Sequence, residues 1–285
     1  MELTILYQDD HVAVVLKPAG VVVNNAETVN TPTIQEWWVE HLKSENAGQL
    51  VFAPNWQKLV PPDFTSEFGT PEEIFMERGG IVHRLDKETS GALLLAKNPG
   101  SLVNLLVQFR QRKTQKKYVC LVHGKFKITE DTVTLPISRS PANRTRYQVI
   151  ADGRTAETAY KVVNYFPQLN IDELVLRAKQ LRPELTHVKQ KLENRYQGFS
   201  LVECWPKTGR THQIRVHFTH LRHPLVADPT YVGAKRLHLD QLWCSRLFLH
   251  ALTLGWTDPV TGEERSVEAP LPPELQAALT FLKEA

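Results

Sequence analysis

A single acid between two cations is the most chemically suggestive feature of the sequence. In the stretch GGIVHRLDKETSGALLLAKN, Asp86 stands between Arg84 and Lys87 and precedes a turn-forming Thr-Ser-Gly and an apolar run. Neighbouring cations favour an ionised carboxylate, which suits a nucleophile or a general base. A surface ion pair or a turn-forming aspartate is the alternative. The apolar run argues against that alternative, because a charge at the rim of a buried strand needs partners.

A second basic stretch offers such a partner. The segment KTGRTHQIRVH contains Lys207, Arg210 and Arg215, and the last of these lies between two apolar residues. Arg215 can therefore face the interior, where an arginine needs an anion, and Asp86 is a candidate. Lys207 and Arg210 suit either solvent exposure or the binding of phosphate.

Charge is segregated along the chain. No Asp or Glu occurs from Thr89 to Thr129, which predicts a basic face for a polyanion, with a solvated helix end as the alternative. Tyr118 begins an apolar strand beside two cations of this window, so it can stack on a base or form the edge of a core. The cations of the window are Lys97, Arg110, Arg112, Lys113, Lys116, Lys117, Lys125 and Lys127.

Four histidines, His212, His217, His220 and His223, invite comparison with a metal site. No acid lies among them, and common zinc spacings such as His-Glu-x-x-His are absent. We therefore predict no metal site, and expect capping or RNA-contacting histidines, among which His212 is the candidate in the basic turn.

Composition narrows the class of protein. The 285 residues are 42% hydrophobic and 23% charged, with a net charge of +3, which is typical of a globular chain. Apolar runs are too short to span a bilayer, and the N-terminus lacks the pattern of a signal peptide. The three cysteines are widely spaced, which favours buried core residues in a reducing cytoplasm. We expect a cytoplasmic protein that does not bind a membrane.

Predicted strands and helices follow one another along the chain without a regular alternation. Strands are predicted within Leu3–Leu16 and at Gly91–Lys97, Tyr118–Gly124, Phe199–Trp205 and Leu247–Trp256, because these segments are apolar or alternating. Helices are predicted after Thr33, which has a capping-box pattern with Glu36, and across Leu102–Phe109. A helix pair split by Pro183 is expected within Ile171–Asn194, and a closing helix across Leu275–Leu282. This order predicts an α+β fold with a mixed, mostly antiparallel central sheet and flanking helices.

Several motifs together resemble the RluA-type pseudouridine synthases. HRLDKETSGALLLAKN (His83–Asn98) is similar to the family's aspartate motif, and LKPAGVVVNN to its N-terminal turn. KKYVCLVHG, GRTAETAY, KTGRTHQIRVH, HPLVADPTYVG and LHALTLGWTDPVTGE resemble further motifs in the same order, from about His11 to Leu271. Leu16 and Asn24 depart from the family pattern, where Asn and His are usual.

The resemblance implies an enzyme that isomerises uridine in RNA to pseudouridine. By motif, Asp86 is the catalytic aspartate, Tyr118 stacks on the target base, Arg215 pairs with the aspartate and Arg84 fills the gap left by a flipped base. Asp86 either attacks the ribose C1′ or removes a proton from C2′. No atom is gained or lost, so no cofactor is expected. The expected RNA-binding residues are Arg84, Lys87, Lys116, Lys117, Lys207, Arg210 and His212.

We expect one catalytic domain across residues 1–285, with insertions at about 46–78 and 170–197 and no separate N-terminal RNA-binding domain. We also expect a monomer whose partner is its substrate, ribosomal or transfer RNA. Two other classes remain open. An RNA-binding or ribosome-assembly protein could use the fold without catalysis, and a metal hydrolase could use the histidines.

Overall fold

A computed structural model of the protein describes residues 1–181, 192 and 196–284. The α-helices are α1 (Ile34–Ser44), α2 (Pro71–Arg78), α3 (Pro99–Arg110), α4 (Ile171–Leu181), α5 (Gln213–His220), α6 (Ala234–Asp240) and α7 (Pro273–Thr280). The strands are β1 (Thr4–Gln8), β2 (Val12–Lys17), β3 (Ser90–Ala96), β4 (Gln115–His123), β5 (Glu130–Thr134), β6 (Ile137–Arg139), β7 (Tyr147–Val149), β8 (Glu157–Phe166), β9 (Gln168–Leu169), β10 (Phe199–Pro206), β11 (Leu249–Thr257), β12 (Glu264–Glu268) and β13 (Leu282–Lys283).

The chain forms two compact units. The first comprises Met1–Lys116 and Ala251–Pro270, and the second comprises Lys117–His250 and Leu271–Ala285. In both units antiparallel strand pairs predominate and helices flank them, so the predicted α+β class is confirmed. The expectation of a single catalytic domain stays a prediction.

The first unit is built around β3. Strands β1, β2, β3 and β11 are neighbours in that order, and β12 pairs with β11. All seven residues of β3 are buried, as the apolar run predicts for a strand covered on both faces. Gly91 has a φ of +128°, and a Cβ there would lie 2.3 Å from the carbonyl oxygen of Ala251. Only glycine therefore fits this close approach.

The second unit has β4, β10, β8 and β5 as neighbours, and all three pairings are antiparallel. One face of these strands packs a core that includes Phe126, Phe218 and Leu249. The predicted strands at Tyr118–Gly124 and Phe199–Trp205 correspond to β4 and β10. All three cysteines are buried, as expected from their spacing.

Local signals explain most of the helices. Thr33 and Glu36 form the predicted capping box at the start of α1. Helix α2 was not predicted, although Thr70 and Glu73 form the same type of box there. The predicted closing helix ends at Thr280, so Leu282 lies in β13 instead, where it pairs with Leu169.

Helix α4 is the first of the two helices predicted for the segment Ile171–Asn194. The predicted second helix lies mostly outside the described residues. None of the helices in the described ranges is both long and apolar enough to cross a membrane.

Candidate active site

Asp86 lies at the end of a segment that runs beside β3. The segment is held by an isolated bridge between Ile81 and Leu95 and by a 2.9 Å hydrogen bond from the Ala96 N–H to the Gly80 carbonyl. Half-buried Asp86 then opens a tight turn, in which the Thr89 N–H donates to its carbonyl at 3.1 Å. The carboxylate is thus carried by a backbone fixed on both sides.

Lys17 locks this turn from β2. Its side chain is fully buried, and its ammonium donates to the carbonyls of Pro18, Lys87 and Thr89 at 2.9, 3.0 and 2.8 Å. The Gly20 N–H adds a 2.8 Å bond to the Lys87 carbonyl. A buried ammonium needs an acceptor for each of its three N–H groups, and these three carbonyls provide them. The Lys-Pro-Ala-Gly turn and the turn after Asp86 are therefore joined.

His83 fixes the approach to Asp86. Its Nε2 accepts the Leu94 N–H at 3.1 Å, and its ring stacks on Phe109 with centroids 4.6 Å apart. Burial, with a smaller effect from the charge of Lys116, lowers the pKa of His83 to about 3. The ring is therefore neutral at physiological pH and carries its proton on Nδ1.

The cations next to Asp86 in the sequence differ in burial from Lys116, whose charge acts on His83. Arg84 and Lys87 are exposed, and in the described part of the chain neither side chain forms a salt bridge. A surface ion pair with these neighbours is therefore not the reason for the Arg-Leu-Asp-Lys sequence. Lys116 is instead half-buried, and burial lowers its pKa to about 8, with a smaller contribution from Arg112.

Arg215 is buried in the second unit, as its apolar neighbours predict. Helix α5 carries it, and its side chain is 3% exposed. Its Nε and Nη2 donate to the two carboxylate oxygens of Asp228 at 2.8 Å each, and Nη2 also donates to Thr230 Oγ1 at 2.8 Å. The Tyr231 ring lies 5.1 Å from the guanidinium. This fork holds the arginine in one orientation.

Asp228 was missed in the sequence, where Asp86 was the expected anion for Arg215. The Asp228 side chain is fully buried, and it also accepts the N–H groups of Thr230 and Tyr231 at 2.8 and 3.1 Å. An aspartate before Pro-Thr is a turn signal, and that signal could have placed it. The pairing of Arg215 with Asp86 stays a prediction.

The basic turn before α5 is shaped by Gln213. Its Oε1 accepts from the Arg210 N–H at 3.0 Å and from Thr208 Oγ1 at 2.6 Å, while its Nε2 donates to the Glu157 carbonyl at 2.9 Å. His212 adopts a left-handed backbone conformation and its Nδ1 lies 3.0 Å from the Tyr231 hydroxyl. The loop is therefore rigid where phosphate binding is expected.

Several predicted RNA-binding cations have partners within the protein. Lys117 pairs with Glu203 at 3.2 Å, and Lys207 pairs with Glu157. The Arg210 Nε donates to the Thr155 carbonyl at 3.0 Å. These contacts orient the side chains.

Tyr118 is half-buried on β4, where it lies opposite Cys204 of β10 and packs at the edge of the second unit's core. Both its proposed stacking role and the core-edge alternative are compatible with this position.

The histidines serve separate structural contacts. His217 Nδ1 lies 3.0 Å from Thr158 Oγ1 and its Nε2 lies 3.0 Å from the Leu135 carbonyl, while His223 stacks on Phe126. Among the described residues, no group of three or more His, Cys, Asp or Glu is arranged to hold a metal ion.

Sequence reasoning also missed an exposed arginine hairpin. Strands β6 and β7 and their connection carry Arg139, Arg144 and Arg146, all exposed. Arg139 donates to the Tyr147 hydroxyl at 3.2 Å, and the Tyr147 N–H donates to the Tyr231 hydroxyl at 3.0 Å. This links the hairpin to the buried Arg215. The absence of acids between Asp131 and Asp152 was the available signal.

Replacing Lys17 by Met tests the lock on the Asp86 turn. We expect the free energy of unfolding to fall by about 3 kcal/mol, because three carbonyls, including that of the buried Thr89, lose a charged donor. Lys87→Met is the matched control, since the Lys87 side chain is exposed and its carbonyl remains. Urea unfolding measures both, and equal stability of the two variants would refute the lock.

Asp228→Asn tests the buried fork. It leaves the Arg215 charge without its carboxylate, so we expect a loss of about 3–5 kcal/mol in denaturant unfolding. Thr230→Val removes one neutral hydroxyl acceptor and should cost about 1 kcal/mol. A cost for Asp228→Asn no larger than that of Thr230→Val would contradict the interpretation.

The pH dependence of stability tests His83. Its folded-state pKa lies near 3, and an unfolded histidine titrates near 6.5, so the unfolded state binds the proton first as pH falls. Stability should therefore decline from pH 6.5 towards 3, by up to about 1.4 kcal/mol per pH unit. His83→Gln keeps an acceptor but does not titrate. Urea midpoints at pH 7 and pH 5 should differ less in this variant, and parallel losses would count against the assignment.

The chain is similar to known proteins over most of its length. Residues 11–220 match the family model described as RNA pseudouridylate synthase. The chain is 33% identical to the ribosomal large subunit pseudouridine synthase D of Xanthomonas campestris, covering 99% of this chain and 70% of that protein. It is 31% identical to the uncharacterized RNA pseudouridine synthase YlyB of Bacillus subtilis, covering 99% and 73%.

A similar fold occurs in the solved structure of human RNA pseudouridylate synthase domain containing 1. The two share 22% identity with a TM-score of 0.64, across 100% of this chain and 89% of that one. The family match and the two bacterial relatives cover most of the chain. The protein therefore belongs to the RNA pseudouridylate synthase family, whose members are isomerases that act on RNA.

Proposed function

We propose that the protein converts specific uridines of ribosomal or transfer RNA to pseudouridine, with Asp86 as the catalytic carboxylate. The observation that carries the proposal is the locked turn at Asp86, which Lys17 and the segment beside β3 hold in place. The name of the Xanthomonas campestris relative, a ribosomal large subunit pseudouridine synthase, favours the large ribosomal subunit RNA. We expect a cytoplasmic monomer that needs no cofactor.

The reaction breaks the bond between N1 of uracil and C1′ of ribose, turns the base, and joins C5 to C1′. The C5 hydrogen leaves as a proton and N1 gains one, so substrate and product are isomers. Asp86 either attacks C1′ and is later displaced, or removes a proton from C2′ and returns it after the new bond forms. Both routes require an ionised carboxylate, which the proposed pairing with Arg215 would secure. Arg215 is suited to this because its two hydrogen bonds to Asp228 fix the position of the guanidinium group.

The target base must leave its stack before it can react. We assign Tyr118 to stacking on the extruded uracil and the exposed Arg84 to filling the gap in the RNA. Lys87, Lys116, Lys117, Lys207, Arg210 and His212 complete the proposed RNA contacts. The rigid turn around Gln213 supports this role for the last three, because it fixes their backbone.

Tritium release tests the proposal directly. An RNA transcript carrying tritium at C5 of uridine loses it to water when C5 becomes bonded to C1′. We expect the protein to release tritium from unmodified large-subunit ribosomal RNA or transfer RNA. Asp86→Asn should lower the rate at least about a thousandfold.

Glu88→Gln provides the matched control, because it makes the same change two residues away and should keep the wild-type rate. Carbodiimide mapping of RNA from a deletion strain would then locate the uridine. Equal rates for Asp86→Asn and the wild type would remove Asp86 from the mechanism. RNA binding by the wild type without tritium release from either RNA would favour a noncatalytic RNA-binding protein.

A further inference from the structure

A cavity of about 700 Å³ lies wholly within the first unit, at the predicted insertion 46–78. Residues 64–68, helix α2 and helix α3 line it, and we call it the insertion cavity. Its volume falls in the range of small-molecule and nucleotide sites. The proposed catalytic residues do not line it, so its purpose requires a separate explanation.

An exposed aromatic ring is among the side chains that line the insertion cavity. Phe68 is 78% exposed, whereas Phe64 is half-buried and Ile74 is buried within the lining. Leu106 of α3 adds a further apolar side chain. Because these apolar side chains line one concavity, they form a contiguous apolar surface, which is typical of a binding site.

Phe68 is held in position by its surroundings. Its N–H donates to Ser66 Oγ at 3.0 Å. Gly69 follows with a φ of +103°, and a Cβ there would lie 2.3 Å from Glu73 Oε2. Thr70 then caps α2 in a reciprocal box with Glu73. The ring is thus attached to a defined turn, which lowers the entropy lost on binding.

The polar lining of the insertion cavity includes both acids and bases. The carboxylates of Glu67, which precedes α2, and of Glu77, within α2, can accept N–H groups of a nucleobase. Arg78 and Arg110 also line it, and within the described ranges neither forms a salt bridge. Arg78 is fixed by a 3.0 Å bond from its Nε to the Ile81 carbonyl. These cations can bind phosphate.

The basic side continues beyond the insertion cavity. After Arg110 at the end of α3, the chain carries Arg112 and Lys113, both exposed, in the window that contains no acid. Such a basic rim complements a phosphate backbone. Together with the aromatic wall, it favours RNA over a protein partner.

We propose that the insertion cavity binds one unpaired nucleotide of the substrate RNA other than the target uridine. The base stacks on Phe68 above the apolar wall, and Arg110 binds the adjoining phosphate. This rests on the proposed function for the identity of the RNA. Arg78 lines the insertion cavity and also donates a hydrogen bond to the segment that leads to Asp86. The same arginine therefore contacts both the bound nucleotide and the segment that carries the catalytic turn.

The test measures RNA affinity separately from catalysis. Filter binding of an unmodified large-subunit ribosomal RNA transcript should show a Kd about tenfold higher for Phe68→Ala than for the wild type, as expected for loss of one stacked base. In the tritium assay the KM should rise similarly with kcat unchanged. Ultraviolet crosslinking of the wild type should attach a nucleotide to the peptide containing Phe68.

Met76→Ala is the matched control, because Met76 is 65% exposed on α2 and does not line the cavity. Its Kd should equal that of the wild type. An unchanged Kd for Phe68→Ala, with no crosslink in residues 64–78, would overturn the proposal and leave a protein partner as the occupant. Loss of affinity in Phe68→Ala without any tritium release by the wild type would uphold the cavity but refute the proposed isomerase activity.

Discussion

The buried ammonium of Lys17 is the constraint on which the Asp86 turn depends. It joins the end of β2 to the carbonyls of Lys87 and Thr89, on the far side of the aspartate from the segment held along β3. A lysine chain removed from water is unfavourable unless acceptors surround it, so the contact forms only when both turns are in place. The position of Asp86 is therefore a property of the folded first unit and not of its own loop.

The second unit also fixes a buried charged side chain, but through an ion pair. Arg215 is oriented by Asp228, which also accepts hydrogen bonds from the backbone N–H groups of Thr230 and Tyr231. A buried arginine paired in this way contributes little net stability but specifies one geometry for the guanidinium. A chemical step that needs an ionised carboxylate gains from a cation that does not reorganise. The two units thus each fix one charged member of the proposed catalytic set.

Local patterns predicted the parts of the fold that depend on neighbouring residues. The buried β3, the capping box of α1 and the inward Arg215 follow from spacing and apolar flanks. Contacts between distant segments could not be predicted, since Lys17 and Lys87 are 70 positions apart and meet only through the register of β2 with β3. Helix α2 was missed for a different reason. Its capping box is visible in the sequence, but the surrounding segment is rich in proline and shows no helical periodicity.

The measurement that most directly tests whether the Lys17 lock positions Asp86 for catalysis is single-turnover isomerisation by Lys17→Met. It should be made at saturating RNA and at a temperature where the variant is folded. We predict a rate constant at least about tenfold below that of the wild type, with the Kd for RNA unchanged, because a misplaced catalytic group slows the chemical step. A wild-type rate constant in the folded variant would contradict it.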